Sequence, residues 1–401
     1  MAAMRERVQQ LAGKYKDEVS RIRKHLHRHP ELSFQEFKTA QYIAETLQAM
    51  QIEVRHMAQT GLAAYIRGQN PDKRIVALRA DIDALPIHEA NDVPYKSQTA
   101  GVMHACGHDV HTASLIGTLK ILHELKDVWE GTVRLIFQPG EEQLPGGASQ
   151  MIQEGVLENP QPHIILGQHV APQLPVGEIG IASGFNSANT DEVRITLQGT
   201  SGHAAFPHRT VDTILMAAHT VVALQQIVSR NMSPTTSSLL SICQIEGGHA
   251  TNVIPGEVHL SGTLRTQGEY ERRLAYQRIR EISHGIAQSM GGNCEVNITR
   301  GYPAVYNQDL LTSRVREAAE AYLGHAQVKP WSTAMIGEDF GFYTEKIPGC
   351  FYFLGTSNAK DKKPSDIHTA TFDVDEEVFG VGPGLMAWLT LCALAQDQEV
   401  K

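Results

Sequence analysis

Four short apolar segments, residues 74–78, 132–137, 163–167 and 349–355, each run on toward acids or imidazoles, and this pattern restricts the fold more than any other feature of the chain. Their β-branched, aromatic and aliphatic composition and their length read as buried strands. The first leads into Arg79-Ala80-Asp81-Ile82-Asp83-Ala84-Leu85-Pro86, the second into Gln138-Pro139-Gly140-Glu141-Glu142, and the third into Gln168-His169-Val170. The fourth is followed by a polar loop and then by His368-Thr369-Ala370. Open α/β sheets hold their ligands beyond the carboxyl ends of strands, so four strand ends bearing ionisable groups point to one shared site. A lone histidine would be read as a core side chain and a lone acidic pair as an exposed turn; the four together favour chemistry.

The chemistry is indicated by His104-Ala105-Cys106-Gly107-His108-Asp109-Val110-His111. A thiolate and several imidazoles in one short loop suit zinc and its first-row neighbours. Glu141 and Glu142 are adjacent, so their side chains need not point the same way, and one can bind metal while its neighbour handles protons. Five cysteines, at 106, 243, 294, 350 and 392, are odd in number and widely spread, which argues against a disulfide framework and for a reducing compartment. Residues 1–24 are polar and charged, and no apolar run approaches the roughly 18 residues of a membrane span, so a cytoplasmic location is expected, with no membrane partner. The net charge of −9 and the lack of a basic cluster argue against a nucleic-acid partner.

A helix is expected over residues 4–29, ended by Pro30, and another over 35–50, with Ala40, Ile43, Ala44 and Leu47 on one face. Strands and helices then alternate to about Gly184, as in a sheet covered on both faces. Beyond it the order changes to strand 192–198, helix 211–229, strands 238–245 and 257–266, helix 270–290 and strand 295–299. This βαββαβ order is that of the ferredoxin-like split unit. A complete unit in the middle of the chain implies an interrupted catalytic domain: residues 1–186 begin it, residues 187–304 form the inserted domain, and residues 305–401 complete it and supply His368. At 401 residues the chain has room for both domains.

In order along the chain, the Arg79–Pro86 and His104–His111 blocks, Glu141-Glu142, Gly202-His203-Ala204-Ala205-Phe206-Pro207-His208, Asn252-Val253-Ile254-Pro255, Gly337-Glu338-Asp339-Phe340 and His368 resemble the M20 metallopeptidase family. The closest branch is the amidohydrolase group of N-acyl-amino-acid amidohydrolases, hippurate hydrolases and auxin-conjugate hydrolases. The resemblance implies an α/β fold: a mixed-sheet, metallo-exopeptidase-like catalytic domain with the ferredoxin-like insert as lid and dimerisation domain. It implies two divalent ions per subunit, Zn, Mn, Ni or Co, held by Cys106, His108, Glu142, His169 and His368, with Cys106 in the bridging place. Glu141 takes the general-base role. Asp81 and Asp83 then orient ligands, and Glu338 and Asp339 either support a ligating histidine or cap a short helix. His203, with His208 as the less favoured choice, would meet the charge developing on the scissile carbonyl oxygen, unless it only stabilises its glycine-flanked turn. Asn252 and Arg265 would anchor the substrate's carbonyl and carboxylate, the alternative for Arg265 being a surface ion pair.

The implied function is hydrolysis of the amide bond of N-acyl amino acids by a homodimer, through a metal-activated water and Glu141. A dipeptidase or carboxypeptidase on the same scaffold is the nearest alternative, and a non-catalytic acyl-amino-acid binder is the rival from another class. A binder would have no use for Glu141 beside Glu142. A small structural zinc site is disfavoured because the proposed ligands are scattered from 106 to 368.

Overall fold

In the computed structural model, which describes residues 1–358 and 365–396, the apolar segments become strands of one ten-stranded sheet. Along the chain come α1 (Ala2–Arg28), α2 (Phe37–Gln48), β1 (Val54–Met57), β2 (Gly61–Arg67), β3 (Ile75–Asp81), α3 (His108–Glu124) and β4 (Thr132–Gln138). They are followed by α4 (Gly147–Gln153), β5 (Ile164–Pro175), β6 (Ile179–Ile181), β7 (Gly184–Phe185), β8 (Asn189–Gln198), β9 (Gly202–His203) and α5 (Thr213–Leu224). Next are β10 (Ser238–Glu246), β11 (Val253–Ile254), β12 (Glu257–Thr266), α6 (Glu269–Ser289), β13 (Asn293–Arg300), β14 (Tyr306–Asn307) and α7 (Asp309–Leu323). The chain closes with β15 (Val328–Pro330), α8 (Gly341–Thr344), β16 (Gly349–Ser357) and α9 (Val378–Leu394).

Two compact units emerge. The first comprises Met1–Asn186, Val305–Thr333 and the chain from Asp339 onward; the second comprises Ser187–Ala304 with Ala334–Glu338. In the first unit the strand order is β1-β2-β4-β3-β5-β16-β14-β7, with β6 beside β16 and β15 beside β6. β3, β4, β5 and β16 run parallel, whereas β1 and β2 add an antiparallel edge, so the sheet is mixed. The alternation of a strand sends Val76, Leu78 and Ala80 to one face and Ala77 to the other. On the first face they join buried residues of α1, α3 and α9; on the second, those of α4 and α8. α3 and α9 are buried almost all round, which explains why neither shows a marked polar stripe in its sequence. β5 runs on past the expected residue 167, so His169 lies within a strand and not just beyond one.

The second unit is an antiparallel sheet in the order β10-β12-β8-β13, with α5 and α6 packed against it. Numbered within the unit this is second-third-first-fourth, the order of the split βαβ arrangement. Val193, Ile195 and Leu197 alternate inward on β8 and meet Met216 of α5 and Ile279 of α6. The helix expected to reach 229 ends at Leu224 and is succeeded by a π-type turn, Ile227–Asn231. β9 and β11 form a separate two-stranded ribbon.

Among the described residues no helix is long and apolar enough to cross a membrane. All five cysteines are free. Leu166 is fully buried in the core between the parallel strands and the α1–α3–α9 layer. Its replacement by alanine should lower the stability of the metal-free protein by about 2–5 kcal/mol, the usual cost of such a cavity, read from urea unfolding.

Candidate metal centre

Cys106, His108, Glu141, Glu142, His169 and His368 come together at the carboxyl edge of the parallel strands. Cys106 Sγ lies 3.3 Å from His169 Nε2 and 3.3 Å from His368 Nε2. Glu142 Oε1 lies 3.2 Å from His368 Nε2 and 4.0 Å from His108 Nε2. Two sets of donor atoms close enough to share an ion overlap at the thiol: Cys106, His108 and His169, and Cys106, Glu142 and His368.

Local structure explains why the loops take these paths. Gly107 caps α3 with φ of +85°, and a Cβ there would sit 2.5 Å from Val170. Only glycine lets the chain pass between Cys106 and His108 at that point. Gly140 turns β4 into the two glutamates with φ of +56°, its Cα packed against the Phe34 ring. The Gly140 N–H donates to Glu36 Oε1 at 2.8 Å, and Thr60 Oγ1 donates to the same carboxylate's Oε2 at 2.6 Å. Burial, with Asp83 nearby, pushes Glu36 up to about 7.

For His108, His169 and His111 the hydrogen bond made by one ring nitrogen decides what the other can do. His108 Nδ1 donates to the carbonyl of Asp83 at 2.9 Å and faces its Oδ1 at 3.0 Å, leaving Nε2 aimed into the site. His169 Nδ1 donates to the Val170 carbonyl at 2.8 Å, which leaves the Nε2 lone pair facing Cys106. His111 differs: Nδ1 sits 2.6 Å from Asp81 Oδ1, and Nε2 accepts the Val170 N–H at 2.9 Å. With both nitrogens used, His111 joins β3 to β5 and has no donor atom left for an ion, although it lies close to His108 and Asp81. His104 is buried and kept neutral by that burial, its pKa pushed down to about 4, and it joins none of the donor sets.

The acids expected to orient ligands do contact them. Asp83 Oδ2 accepts from Ser33 Oγ at 2.7 Å and from the Glu142 N–H at 3.0 Å, so one carboxylate holds both His108 and the Glu142 backbone. Asp81 is paired with Arg79 at 2.7 Å and lies 3.7 Å from His108 Nε2. Arg79 in turn donates to Asp339 at 2.8 Å and to Gln138 at 2.9 Å, and Asp339 Oδ2 also takes the Ala148 N–H at 3.0 Å. Asp339 therefore ties the loop after β4 to β3. Glu338 is buried and belongs to the second unit.

Of the remaining expected residues, His203 and Asn252 lie side by side on the β9–β11 ribbon: His203 pairs with Val253, and the Ala204 N–H donates to the Asn252 carbonyl at 3.0 Å. Both side chains are exposed. His203 Nδ1 accepts the Ala205 N–H at 3.1 Å, which leaves Nε2 as an outward-facing N–H donor. His208 is exposed on the turn that follows. Arg265, near the end of β12, is half-buried and donates to Thr263 Oγ1 at 3.1 Å.

Sequence reasoning passed over His111 as a brace, and Glu36 and Ser33 as supports. It assigned Arg79 no role, although an arginine inside an otherwise apolar strand must find a buried partner.

The donor set fits divalent metal. His108 Nε2 is buried without a hydrogen-bond partner, and Glu142 Oε1 faces the Nε2 atoms of both His108 and His368. Burial pushes His108 down, but Asp81 and Asp83 outweigh it and raise its pKa to about 10. So many carboxylates around one ring call for positive charge that an ion would bring.

Residues 77–388 match the family model described as Peptidase family M20/M25/M40. The chain is 39% identical over 379 residues to the N-acetylcysteine deacetylase of Bacillus subtilis (strain 168), covering 93% of this chain and 96% of that protein. It is 44% identical over 306 residues to the N-acyl-L-amino acid amidohydrolase of Geobacillus stearothermophilus, with coverage of 76% and 82%. A solved dinuclear metal binding peptidase from the M20 family of Bacillus subtilis is similar with a TM-score of 0.83 at 36% identity, covering 95% of this chain and 99% of that one. The chain belongs to peptidase family M20/M25/M40.

The committed nitrogens give a direct check on the site. In nitrogen-15 spectra of metal-free protein at pH 8, His108 should be an imidazolium, titrating near 10, and His169 a neutral Nδ1–H tautomer, since burial beside His111 pushes it down to about 3. A neutral His108 at that pH would contradict the charge balance described.

Proposed function

We propose that the protein is a metal-dependent amidohydrolase that cleaves the amide bond of N-acyl amino acids. The observation that carries this reading is Glu141, buried beside a thiol, three imidazoles and a second glutamate. A site that only binds acyl amino acids has no need of that extra carboxylate. The acylated amino acids named for both relatives support the substrate class.

In this reading two divalent ions would be held by Cys106, His108, His169, Glu142 and His368, whose two donor sets have the thiol in common. Thiolate, imidazole and carboxylate together suit zinc, manganese, nickel or cobalt. When bound, such a pair supplies a water nucleophile active near neutral pH and polarises the scissile carbonyl. Glu141 takes a proton from the water as its oxygen attacks the carbonyl carbon. It passes that proton to the leaving nitrogen as the C–N bond breaks, giving a carboxylic acid and a free amine. Asp83 and Asp81 keep His108 oriented throughout.

Residues 1–186 and 305–401 form the catalytic domain and 187–304 an inserted lid and dimerisation domain. His203 offers its Nε2–H to the developing oxyanion, and Asn252 and Arg265 hold the substrate's carbonyl and carboxylate; the exposed ribbon position shared by His203 and Asn252 supports this pairing. The protein acts as a homodimer in which His203 serves the partner's site. Exposed Ile214, Leu215 and Val222 on α5 support a subunit interface, as does the edge strand β10. Five free cysteines support a cytoplasmic location.

Glu141→Gln should retain metal while kcat falls by roughly two to four decades. Glu142→Gln and Cys106→Ala should lose metal, measured by elemental analysis after dialysis. Unchanged turnover in Glu141→Gln would remove Glu141 from the general-base role. A panel of acetyl, benzoyl and indoleacetyl amino acids and dipeptides, tested on stripped and remetallated protein, should show metal-dependent release of free amino acid from the acylated compounds ahead of the dipeptides.

For the dimer, inactive His203→Ala and inactive Glu141→Gln subunits are mixed and exchange is verified by mass. A mixed dimer has one site lacking both groups and one complete, so activity should return. Exchange without recovery would mean that the histidine does not act across subunits.

A further inference from the structure

His368 is the ligand candidate least held by its surroundings. Its side chain is 50% exposed, against 1% for His108. Its backbone is left-handed at φ of +59°, a conformation that an L-residue keeps only when its neighbours fix it. Several contacts fix this turn. The His368 N–H donates to the Ala105 carbonyl at 2.7 Å, the Ala90 N–H to Ala370 at 2.8 Å, and Asn91 Nδ2 to Phe372 at 3.0 Å.

The remaining anchor is of another kind. Arg23, on α1 and fully buried, directs Nε to Asp109 Oδ2 at 2.8 Å and one terminal nitrogen to Asp373 Oδ1 at 3.0 Å. Asp109 directly follows His108. Asp373 ends the turn that carries His368. Tyr95 closes the arrangement, with its hydroxyl donating to Asp373 Oδ2 at 2.7 Å and its ring 4.9 Å from the guanidinium carbon. A planar guanidinium with two carboxylates sets their separation as well as their charge. One buried side chain, for which the catalytic chemistry has no need, thus spans the segments that present His108 and His368.

We infer that Arg23, through Asp109 and Asp373, is a positioning residue that holds His368 at ligating distance from Cys106 and Glu142. This rests on the ligand set proposed above. Of its three groups, Asp373 is the suitable one to alter: it is 30% exposed, so losing its charge leaves the buried Arg23–Asp109 pair intact.

The test is zinc binding by the full chain, titrated against a chromophoric chelator, with Asp373→Asn and His368→Ala compared with the unaltered protein. Asp373→Asn should weaken one of the two zinc ions by about 10–100-fold, the usual effect of removing a partner behind a ligand, and leave the other unchanged. The thermal midpoint of metal-free Asp373→Asn should match that of the unaltered protein, which a merely structural contact would not allow. Tyr95→Phe, which removes a single hydroxyl, should weaken the same ion by a smaller factor. Two ions bound with unaltered affinity by Asp373→Asn, while His368→Ala weakens one, would overturn the inference and spare the ligand set. Equal weakening of both ions in Asp373→Asn would also overturn it, as general loosening. Full zinc affinity in His368→Ala would overturn the ligand set and the inference together.

Discussion

Charge balance beneath the carboxyl edge of the sheet is the constraint on which the rest of the structure depends. Asp81, Asp83, Asp109 and Asp339 are essentially inaccessible to solvent, and an unpaired buried carboxylate is too costly for a folded chain to keep. Arg79 answers Asp81 and Asp339, Arg23 answers Asp109, and the His108 ring stands between Asp81 and Asp83. Removing one member of such a pair is far more disruptive than never having built it, because the partner is left as an uncompensated buried charge. The sheet and the site are therefore not separable: the ionic groups that orient the ligands also hold β3, β4 and the loop after β4 in register.

The same constraint explains how histidines of one short block come to differ in kind. His108 and His111 sit three residues apart near the start of α3, and both face Asp81. His108 ends with an unpartnered nitrogen, whereas His111 spends both nitrogens on the scaffold. The difference lies in what the second nitrogen meets: the Val170 N–H for His111, and the carboxylate oxygens of Asp81 and Glu142, 3.7 and 4.0 Å away, for His108. Backbone geometry assists in the same way: Gly107 and Gly140 adopt left-handed conformations where a side chain would collide with Val170 or Phe34, so the loops can approach one another closely enough for side chains from several strands to meet.

Much of this was readable from the amino-acid sequence because the relevant signals are local. Short apolar runs marked the parallel strands, Pro and Gly marked their ends, and the strand–helix order marked the inserted unit. Residue chemistry pointed to the His104–His111 block, Glu141-Glu142, His169 and His368, the family resemblance narrowed the block to Cys106 and His108, and the structure brings these residues together. Boundaries were less readable: β5 continues through His169, and the helix after residue 211 gives way to a π-type turn, since sheet pairing with β16 and local packing decide those ends.

What the sequence determined by itself was the inventory: which chemical groups would stand at strand ends, and which domain order would carry them. Only the tertiary structure decided the pairings, because these join residues remote along the chain: Cys106 and His368 are 262 positions apart and Arg23 and Asp109 are 86 apart. No periodicity records such separations. Which histidine nitrogen is free, which arginine answers which acid and why a half-exposed histidine keeps a left-handed backbone all follow from distances a few ångströms long, and those exist only once the sheet has closed around them.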